Sequence, residues 1–188
     1  EKPTDVLFEG ADTNVYKETK EISEKLSQKF SKIKEDFCFL FVGHWLSGNL
    51  GEDRKDIGMM LKVFYTMFKN QKNPPALILK TSGAGFSIID RNEMMKRINA
   101  IKDSMSPHKL PNVYLLHGDL TDEEMNQMYN HPKVKAHLTF THGEGFGRPL
   151  VEASLSGKPI LAPVSTGQAD FLSKDYTVEL PHAMTKVP

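Results

Sequence analysis

Apolar positions along the chain alternate between short unbroken runs and longer stretches with helical spacing. Residues 37–42 (FCFLFV) form the first run, which predicts a strand covered on both faces, as in a parallel sheet. Residues 54–69 then place apolar side chains three and four positions apart, which predicts an amphipathic helix. The alternation continues with predicted strands at residues 76–80, 113–116, 136–140 and 160–164. Predicted helices lie between them at residues 91–102 and 147–156, and a third helix starts after a capping box at Thr121. Five alternations predict an α/β fold, a Rossmann-like doubly wound parallel sheet that binds ligands at the carboxyl ends of its strands.

Residues 15–34 differ from the rest of the chain, because they are highly charged yet carry one apolar stripe. That stripe predicts a helix that packs on the edge of the sheet or on another domain, and its members are Ile22, Leu26, Phe30 and Ile33. A chain of 188 residues has the length of one domain. Because it starts without methionine and stops without an obvious terminal element, we expect an excised domain.

The charge balance and the cysteine and histidine content of the chain limit the kinds of partner that it can bind. Lysine plus arginine and aspartate plus glutamate number 24 each, so no overall field attracts the chain to nucleic acid or to an anionic membrane. The run at residues 37–42 is too short to span a bilayer and no charged-then-apolar leader opens the chain, so we expect no transmembrane segment and a cytoplasmic location. Cys38 is the single cysteine, which fits a reducing compartment. The histidines lack metal-binding spacing, so we expect no metal site.

The densest chemical signal is THGEGFGRPLVEASLSGKPIL, residues 141–161. If a helix begins near Gly147, the amides of residues 145–147 point out of its N-terminus and form an anion site. Glu144 lies in the turn and Glu152 lies in the helix, and two carboxylates beside an anion site indicate a polyhydroxylated anionic ligand such as a sugar nucleotide. The alternative is a tight packing turn in which Glu152 is only an exposed helix residue.

Two cations support an anionic ligand. The pattern predicts that Arg54 and Lys55 lie in the first turn of their helix, where the helix dipole disfavours cations unless an anion compensates. The alternative is that Asp53 caps the helix and Asp56 neutralises the charge.

A nicotinamide-dependent oxidoreductase is a second enzyme class that uses this kind of sheet. Its fingerprint G-x-G-x-x-G is incomplete at both glycine clusters. After Gly143 and Gly145, Arg148 stands where the third glycine is required. After Gly83 and Gly85, Ile88 stands there. The sequence therefore disfavours a dinucleotide site.

Residues 144–152, EGFGRPLVE, resemble the E-x7-E signature of retaining glycosyltransferases with the GT-B fold, a family that includes sucrose synthases and many lipopolysaccharide and mannosyl transferases. FLFVGHW with RKDIGMMLKVF, NVYLLHGDLTDEEMNQMY, and SGKPILAPVSTGQADFL resemble the neighbouring elements of that family, in the same order. LFEGADTNVYK resembles the segment after the interdomain linker. The resemblance covers most of residues 5–172 and implies the second, C-terminal domain of a GT-B fold. Residues 1–14 would start it, and residues 15–188 would form a donor-binding domain that is truncated at its C-terminal end.

The resemblance implies a role for each motif residue. Glu144 would contact the donor sugar, Glu152 the ribose and Lys55 the diphosphate. The residues that the family uses mainly through backbone atoms are Gly145, Phe146 and Gly147 for the sugar and diphosphate and Gly118, Asp119 and Leu120 for the base.

The chain also departs from the family pattern. His44 stands where the family usually has a diphosphate-binding arginine, a role that Arg54 could take instead, and Asp170 replaces a usual glutamate. The loop TSGAGFSIID, residues 81–90, is longer than usual and has no implied role.

The implied reaction is retaining transfer of a sugar from a nucleotide-diphosphate sugar. Glu144 and Lys55 are the predicted catalytic residues, with Glu144 positioning the sugar and Lys55 stabilising the leaving diphosphate, so neither a cofactor nor a metal is expected. An N-terminal GT-B domain outside this chain would hold the acceptor, a glycan, lipid or protein. We therefore expect the isolated chain to bind donor weakly and to transfer nothing. A non-catalytic nucleotide-binding or interaction module is the alternative.

Overall fold

The chain forms a parallel sheet with helices on both faces. The computed structural model describes residues 3–5, 7–46, 50–83 and 85–184. Its helices are α1 (Glu24–Phe30), α2 (Ile57–Phe68), α3 (Ile88–Asp103), α4 (Asp122–Asn130) and α5 (Arg148–Ser154). Its strands are β1 (Cys38–His44), β2 (Ala76–Ser82), β3 (Val113–Leu115), β4 (Val134–Leu138), β5 (Ile160–Ala162) and β6 (Thr177–Glu179). The described strands pair in the order β3-β2-β1-β4-β5-β6, and every neighbouring pair is parallel. The predicted fold class is confirmed.

Both faces of the central strand are buried, as the unbroken apolar run predicts. Cys38 and Leu40 of β1 belong to the hydrophobic cluster that includes α1, α4 and α5. Phe41 belongs to the cluster on the other face, with α2 and α3. The sheet therefore lies between two apolar layers.

The order of the sheet reverses between β1 and β4, and this reversal creates a crevice. The chain leaves β1 for α2 on one face, where Leu61 is buried, and leaves β4 for α5 on the other face, where Ala153 is buried. Because the two connections diverge, they open a space at the carboxyl ends of β1 and β4. Sheets of this type bind their ligands at such a point.

The helix predicted at residues 15–34 is wrong in length, since only Glu24–Phe30 is helical. The segment before it is held in a non-helical form by side chains of α4. The amide of Lys17 donates to Asn126 Oδ1 (3.1 Å), and the amide of Thr19 donates to Asn130 Oδ1 (3.1 Å). The apolar stripe still packs on the sheet, because Leu26 and Phe30 lie in its core.

The predicted start of the second helix is also wrong. The helix begins at Ile57, after Asp56 in a left-handed conformation (φ 47°), so Arg54 and Lys55 lie in the preceding turn rather than in the first helical turn. Asp56 is the N-cap residue and makes no side-chain cap bond, but the carboxylate of Asp53 accepts a hydrogen bond from the amide of Ile57 (3.3 Å).

The capping box at Thr121 is confirmed, since its side chain and that of Glu124 bond each other's backbone amides. The sixth strand, Thr177–Glu179, has only three residues and no apolar run, so the sequence does not predict it. Among the described residues, no helix combines the length and the apolar character that crossing a bilayer requires.

Candidate functional site

A cavity of about 760 Å³ occupies the crevice at the carboxyl ends of the strands. Most of the predicted site residues line it, namely His44, Arg54, Lys55, Asp119, Leu120, Glu144, Gly145, Phe146 and Gly147. The structure thus brings together residues from loops that are far apart in the sequence. Two predicted residues, Gly118 and Glu152, do not line the cavity.

Glu144 is the centre of a charged cluster in this crevice. Its side chain is only 8% exposed, and one oxygen lies 2.5 Å from Lys55 Nζ while the other lies 2.8 Å from Arg54 Nη1. The hydroxyl of Thr141 also donates to Glu144 Oε1 (2.7 Å). Two cations therefore surround one carboxylate, and the cluster keeps a net positive charge.

The pKa of Glu144 reports the balance of these contacts. Burial alone would raise the pKa of this carboxyl, but the hydrogen bonds from Lys55, Thr141 and Arg54 outweigh it and lower the pKa below the ordinary value. Glu144 is thus an ionised carboxylate at neutral pH. An ionised carboxylate accepts hydrogen bonds from hydroxyl groups and stabilises a nearby positive charge.

The turn at residues 166–170 holds the loop that carries Glu144. The hydroxyl of Thr166 accepts a hydrogen bond from the amide of Glu144 (2.9 Å), and the amide of Gly167 donates to the carbonyl of Glu144 (3.0 Å). A Cβ on Gly167 would lie 1.9 Å from the carbonyl oxygen of Gly145, so only glycine fits there. Asp170, at the end of this turn, lines the cavity.

The glycine loop lines the crevice, and its amides have no protein acceptor among the described residues. Within the described part of the chain, the N–H groups of Gly145, Phe146 and Gly147 donate to no protein acceptor. Gly147 has a φ of 96°, which favours glycine, and a Cβ on Gly145 would meet nothing within 4 Å. The helix that follows starts at Arg148 and has only seven residues, so the amides, rather than a long helix dipole, supply the polarity.

Glu152 is buried below the crevice rather than exposed, which contradicts the alternative of a surface helix residue. It is 5% exposed, and it accepts hydrogen bonds from the Tyr129 hydroxyl (3.0 Å) and from Arg148 Nε (2.8 Å). Burial raises the pKa of Glu152 above its ordinary value, although both hydrogen bonds oppose that rise. Arg148 lines the crevice and occupies one oxygen of Glu152.

The structure also shows the contacts of His44 and of the loop at residues 118–120. The Nδ1 atom of His44 lies 3.1 Å from the Ser82 hydroxyl, so the ring takes part in the crevice wall where the family usually has arginine. Asp119 caps its own loop, since its carboxylate accepts a hydrogen bond from the amide of Leu120 (3.0 Å). The carbonyl of Gly118 accepts a hydrogen bond from Lys80 (2.6 Å).

Sequence reasoning missed Tyr129 and Lys80. Tyr129 is fully buried in α4 and bonds Glu152 from 23 positions earlier in the chain, which no local pattern reveals. Lys80 is 8% exposed and lines the crevice. A lysine among buried residues of a central parallel strand was a usable signal, because such strands are usually apolar throughout.

No group of three or more His, Cys, Asp or Glu side chains that could hold a metal ion occurs in the part of the chain that the structure describes.

The sequence matches no protein-family model and none of the curated proteins. The fold is similar to several solved structures. The C-terminal domain of a glycosyl transferase group 1 family protein (LpcC) from Francisella tularensis shares 15% identity, with a TM-score of 0.61 over 90% of this chain and 80% of that one. Anabaena Alr3699/HepE, solved in complex with UDP-glucose, shares 19% identity, with a TM-score of 0.60 over 93% of this chain and 43% of that one. The sucrose-phosphate synthase of Thermosynechococcus elongatus shares 15% identity, with a TM-score of 0.58 over 92% of this chain and 38% of that one.

These likenesses establish the fold. The chain has the α/β architecture of the C-terminal domains of GT-B glycosyltransferases, as the resemblance implies. It spans less than half the length of the HepE and sucrose-phosphate synthase chains.

Proposed function

We propose that the chain is the donor-binding domain of a glycosyltransferase, which binds a nucleotide-diphosphate sugar in the crevice for metal-independent, retaining transfer of the sugar. The observation that carries the proposal is the cluster of Lys55, Arg54 and Glu144 beside the unpaired amides of residues 145–147. Solved structures with this fold include a complex with UDP-glucose, which supports the choice of ligand.

The charges of the cluster suit a diphosphate and a sugar together. Lys55 and Arg54 carry two positive charges against the one negative charge of Glu144, so a diphosphate adds the missing negative charge. When the phosphates take over hydrogen bonds from Lys55 and Arg54, lone pairs of Glu144 become free to accept bonds from sugar hydroxyls. Binding thus exchanges an internal ion pair for contacts with both parts of the ligand.

The same groups fit the chemistry of transfer. As the bond between sugar and phosphate breaks, the diphosphate gains negative charge and the sugar gains oxocarbenium character. Lys55 and the amides of residues 145–147 stabilise the leaving diphosphate, because fixed cations and N–H donors are most effective where charge develops. Glu144 positions the sugar and stabilises its positive charge, and the leaving phosphate takes the proton of the acceptor. Glu152 holds the ribose, which requires that a hydroxyl replace the bond from Arg148.

The acceptor belongs to a second domain in this proposal. Leu7 and Phe8 line the crevice yet are 95% and 68% exposed, which suits a surface that another domain covers. Residues 1–14 would then connect to that domain, and residues 15–188 would form the donor-binding unit. The isolated chain therefore binds the donor without transferring the sugar. The buried, unpaired Cys38 suits a cytoplasmic location.

Thermal unfolding with UDP, GDP, ADP and NADH tests the proposal. At a concentration one hundred times Kd, a ligand adds about 2.7 kcal/mol of stability, which corresponds to a rise of about 5–11 °C in Tm for a chain of this size. We expect this rise with at least one nucleoside diphosphate and none with NADH. Lys55→Met should abolish it, whereas Lys62→Met, an exposed lysine of α2, should retain it.

Two results would contradict the proposal. Stabilisation by NADH alone would indicate a dinucleotide site, and the absence of any shift with all the diphosphates would remove the proposed ligand. Measurable sugar transfer by the isolated chain would contradict the assignment of the acceptor to a second domain.

A further inference from the structure

Neither Lys80 nor the loop that follows β2 takes part in the proposed diphosphate site, yet both line the same crevice. Lys80 lies in β2, and Phe86 lies between β2 and α3, in the sequence TSGAGFSIID for which the resemblance implies no role. The sheet order places β2 on the opposite side of β1 from β4, whose loop carries Glu144. Lys80 and Phe86 therefore flank the crevice on the side away from the charged cluster.

Lys80 has hydrogen-bond donors that the protein does not use. Its ammonium carries three N–H groups, and one donates to the carbonyl of Gly118 (2.6 Å). Among the described residues it makes no other hydrogen bond and no salt bridge. Burial lowers the pKa of Lys80, while the charge of Asp119 opposes that shift. A buried cation with two unused donors in a crevice requires an acceptor from a ligand or from water.

Phe86 adds an aromatic surface next to these donors. Lys80 Nζ lies 5.2 Å from the centre of the Phe86 ring, and Phe86 is 48% exposed. The ring of His117 lies edge-on at 6.0 Å. A half-exposed aromatic face beside a hydrogen-bond donor fits a flat ligand that carries an acceptor on its edge.

The position of Phe86 is held by a network that involves Asp90 of α3. The carboxylate of Asp90 accepts hydrogen bonds from the amide of Gly83 (3.0 Å) and lies 2.7 Å from His117 Nε2. Ser87, next to Phe86, caps α3 by accepting a bond from the amide of Asp90 (3.1 Å). Gly83 and Ser87, on either side of Phe86 in the sequence, are therefore both tied to Asp90.

We propose that Phe86 and Lys80 form the nucleobase subsite, in which Phe86 stacks on the base and Lys80 donates to a base carbonyl. This inference rests on the proposed function, because it places the base of the same nucleotide whose diphosphate binds Lys55. The loop at residues 118–120 closes the subsite, and Gly118 (φ 106°) leaves open space where a side chain would project. Since an ammonium only donates, it suits the C4 carbonyl of uracil or the C6 carbonyl of guanine, whereas the amino group that cytosine and adenine carry at the same position would place donor against donor. The subsite selects uracil or guanine over cytosine or adenine.

Isothermal titration calorimetry with the matched pairs UDP and CDP, and GDP and ADP, tests the subsite. Within at least one pair, we expect the wild type to prefer the carbonyl base by about tenfold or more, the size of one hydrogen bond to a charged group. Lys80→Met should remove that preference. Phe86→Leu should lower the affinity for all four nucleotides by about fivefold to a hundredfold, because the base loses its stacking partner. Phe37→Leu, a ring of similar exposure (47%) before β1, should change nothing.

Inorganic pyrophosphate separates this inference from the proposed function. It probes only the diphosphate site, so Lys55→Met should abolish its binding while Lys80→Met and Phe86→Leu leave it unchanged. If nucleotides bind through Lys55 but the wild type prefers CDP and ADP, or Phe86→Leu has no effect, the nucleobase subsite is wrong and the proposed function stands. If neither nucleotides nor pyrophosphate bind, both are wrong. Because the wild-type comparison and Phe86→Leu do not depend on a buried substitution, misfolding of Lys80→Met would not prevent a decision.

Discussion

The bond between Tyr129 and Glu152 offers a direct test of how the site is supported. Tyr129 is fully buried, and its hydroxyl donates to a carboxylate that is itself only 5% exposed, over 3.0 Å. Tyr129→Phe removes that hydroxyl without changing the shape of the ring. Glu152 then loses one of its two strong donors in a place where water does not easily replace it.

The expected cost follows from the type of bond. A hydrogen bond to a charged group contributes about 1.5–3 kcal/mol, and leaving a buried acceptor unpaired costs a similar amount. For a chain of 150–250 residues, each kcal/mol corresponds to about 2–4 °C in Tm. Tyr129→Phe should therefore lower Tm by about 3–12 °C at neutral pH.

The matched control is Tyr65→Phe. Tyr65 is also buried (1% exposed), but its hydroxyl has no hydrogen-bond partner among the described residues. Urea unfolding of both variants at several pH values separates loss of the bond from a general effect of removing a hydroxyl. Because the bond stabilises the charged form of Glu152, its loss raises the pKa of Glu152 further. The penalty should be complete above that pKa and should shrink as the pH falls through it.

A result in which Tyr129→Phe costs no more than Tyr65→Phe would refute this reasoning. So would a penalty that is the same at all pH values, because the bond would then not depend on the charge of Glu152.

Three further changes test other parts of the fold. Gly167→Ala should abolish nucleotide binding, because its Cβ would lie 1.9 Å from the Gly145 carbonyl oxygen, whereas Gly10→Ala, with nothing within 4 Å, should bind normally in the same calorimetric assay. Burial lowers the pKa of His137 from 6.5 to about 3. Between these two pH values the imidazole is protonated in the unfolded chain but neutral in the folded chain. Stability should therefore fall on acidification from pH 6.5, and His137→Gln should flatten this dependence in urea unfolding. Thr121→Ala removes the capping box and should cost about 0.5–2 kcal/mol in the same unfolding assay.

The sequence predicts those features that depend on neighbouring residues. The apolar run at residues 37–42 marks β1 because a strand buried on both faces needs apolar side chains throughout. Thr121 and Glu124 mark the start of α4 because their bonds close within one helical turn. Within the motif at residues 144–152, residues 144–149 line the crevice, whereas Glu152 does not. The alternation of these elements is sufficient to predict the sheet.

The features that the sequence does not predict depend on distant residues. Residues 17 and 19 are kept out of a helix by the side-chain amides of Asn126 and Asn130, more than 100 positions away. In the turn before α2, which the amide of Asp56 closes by donating to the carbonyl of Asp53 (2.8 Å), Lys55 and Arg54 reach Glu144, 89 and 90 positions away. The spacing of apolar residues within one segment cannot predict such contacts, because it does not show which distant segment packs against it.

The position of Lys55 and Arg54 changes the physical argument for an anionic ligand. In the first turn of a helix, their charge would oppose the helix dipole, and a ligand would relieve that conflict. In the observed turn the conflict is absent, because Glu144 already neutralises one of the two cations and its lowered pKa keeps it ionised. What remains is one positive charge that Glu144 does not balance, in a crevice that Asp53, Asp119 and Asp170 also line and where the side chain of Lys55 is only 12% exposed. Partial burial strengthens the attraction of that charge for an anion, since water screens it less. In the proposed function, the diphosphate therefore binds through the cations of this ion cluster and not through relief of strain in α2, and the ion pair with Glu144 keeps Lys55 in place before the ligand arrives.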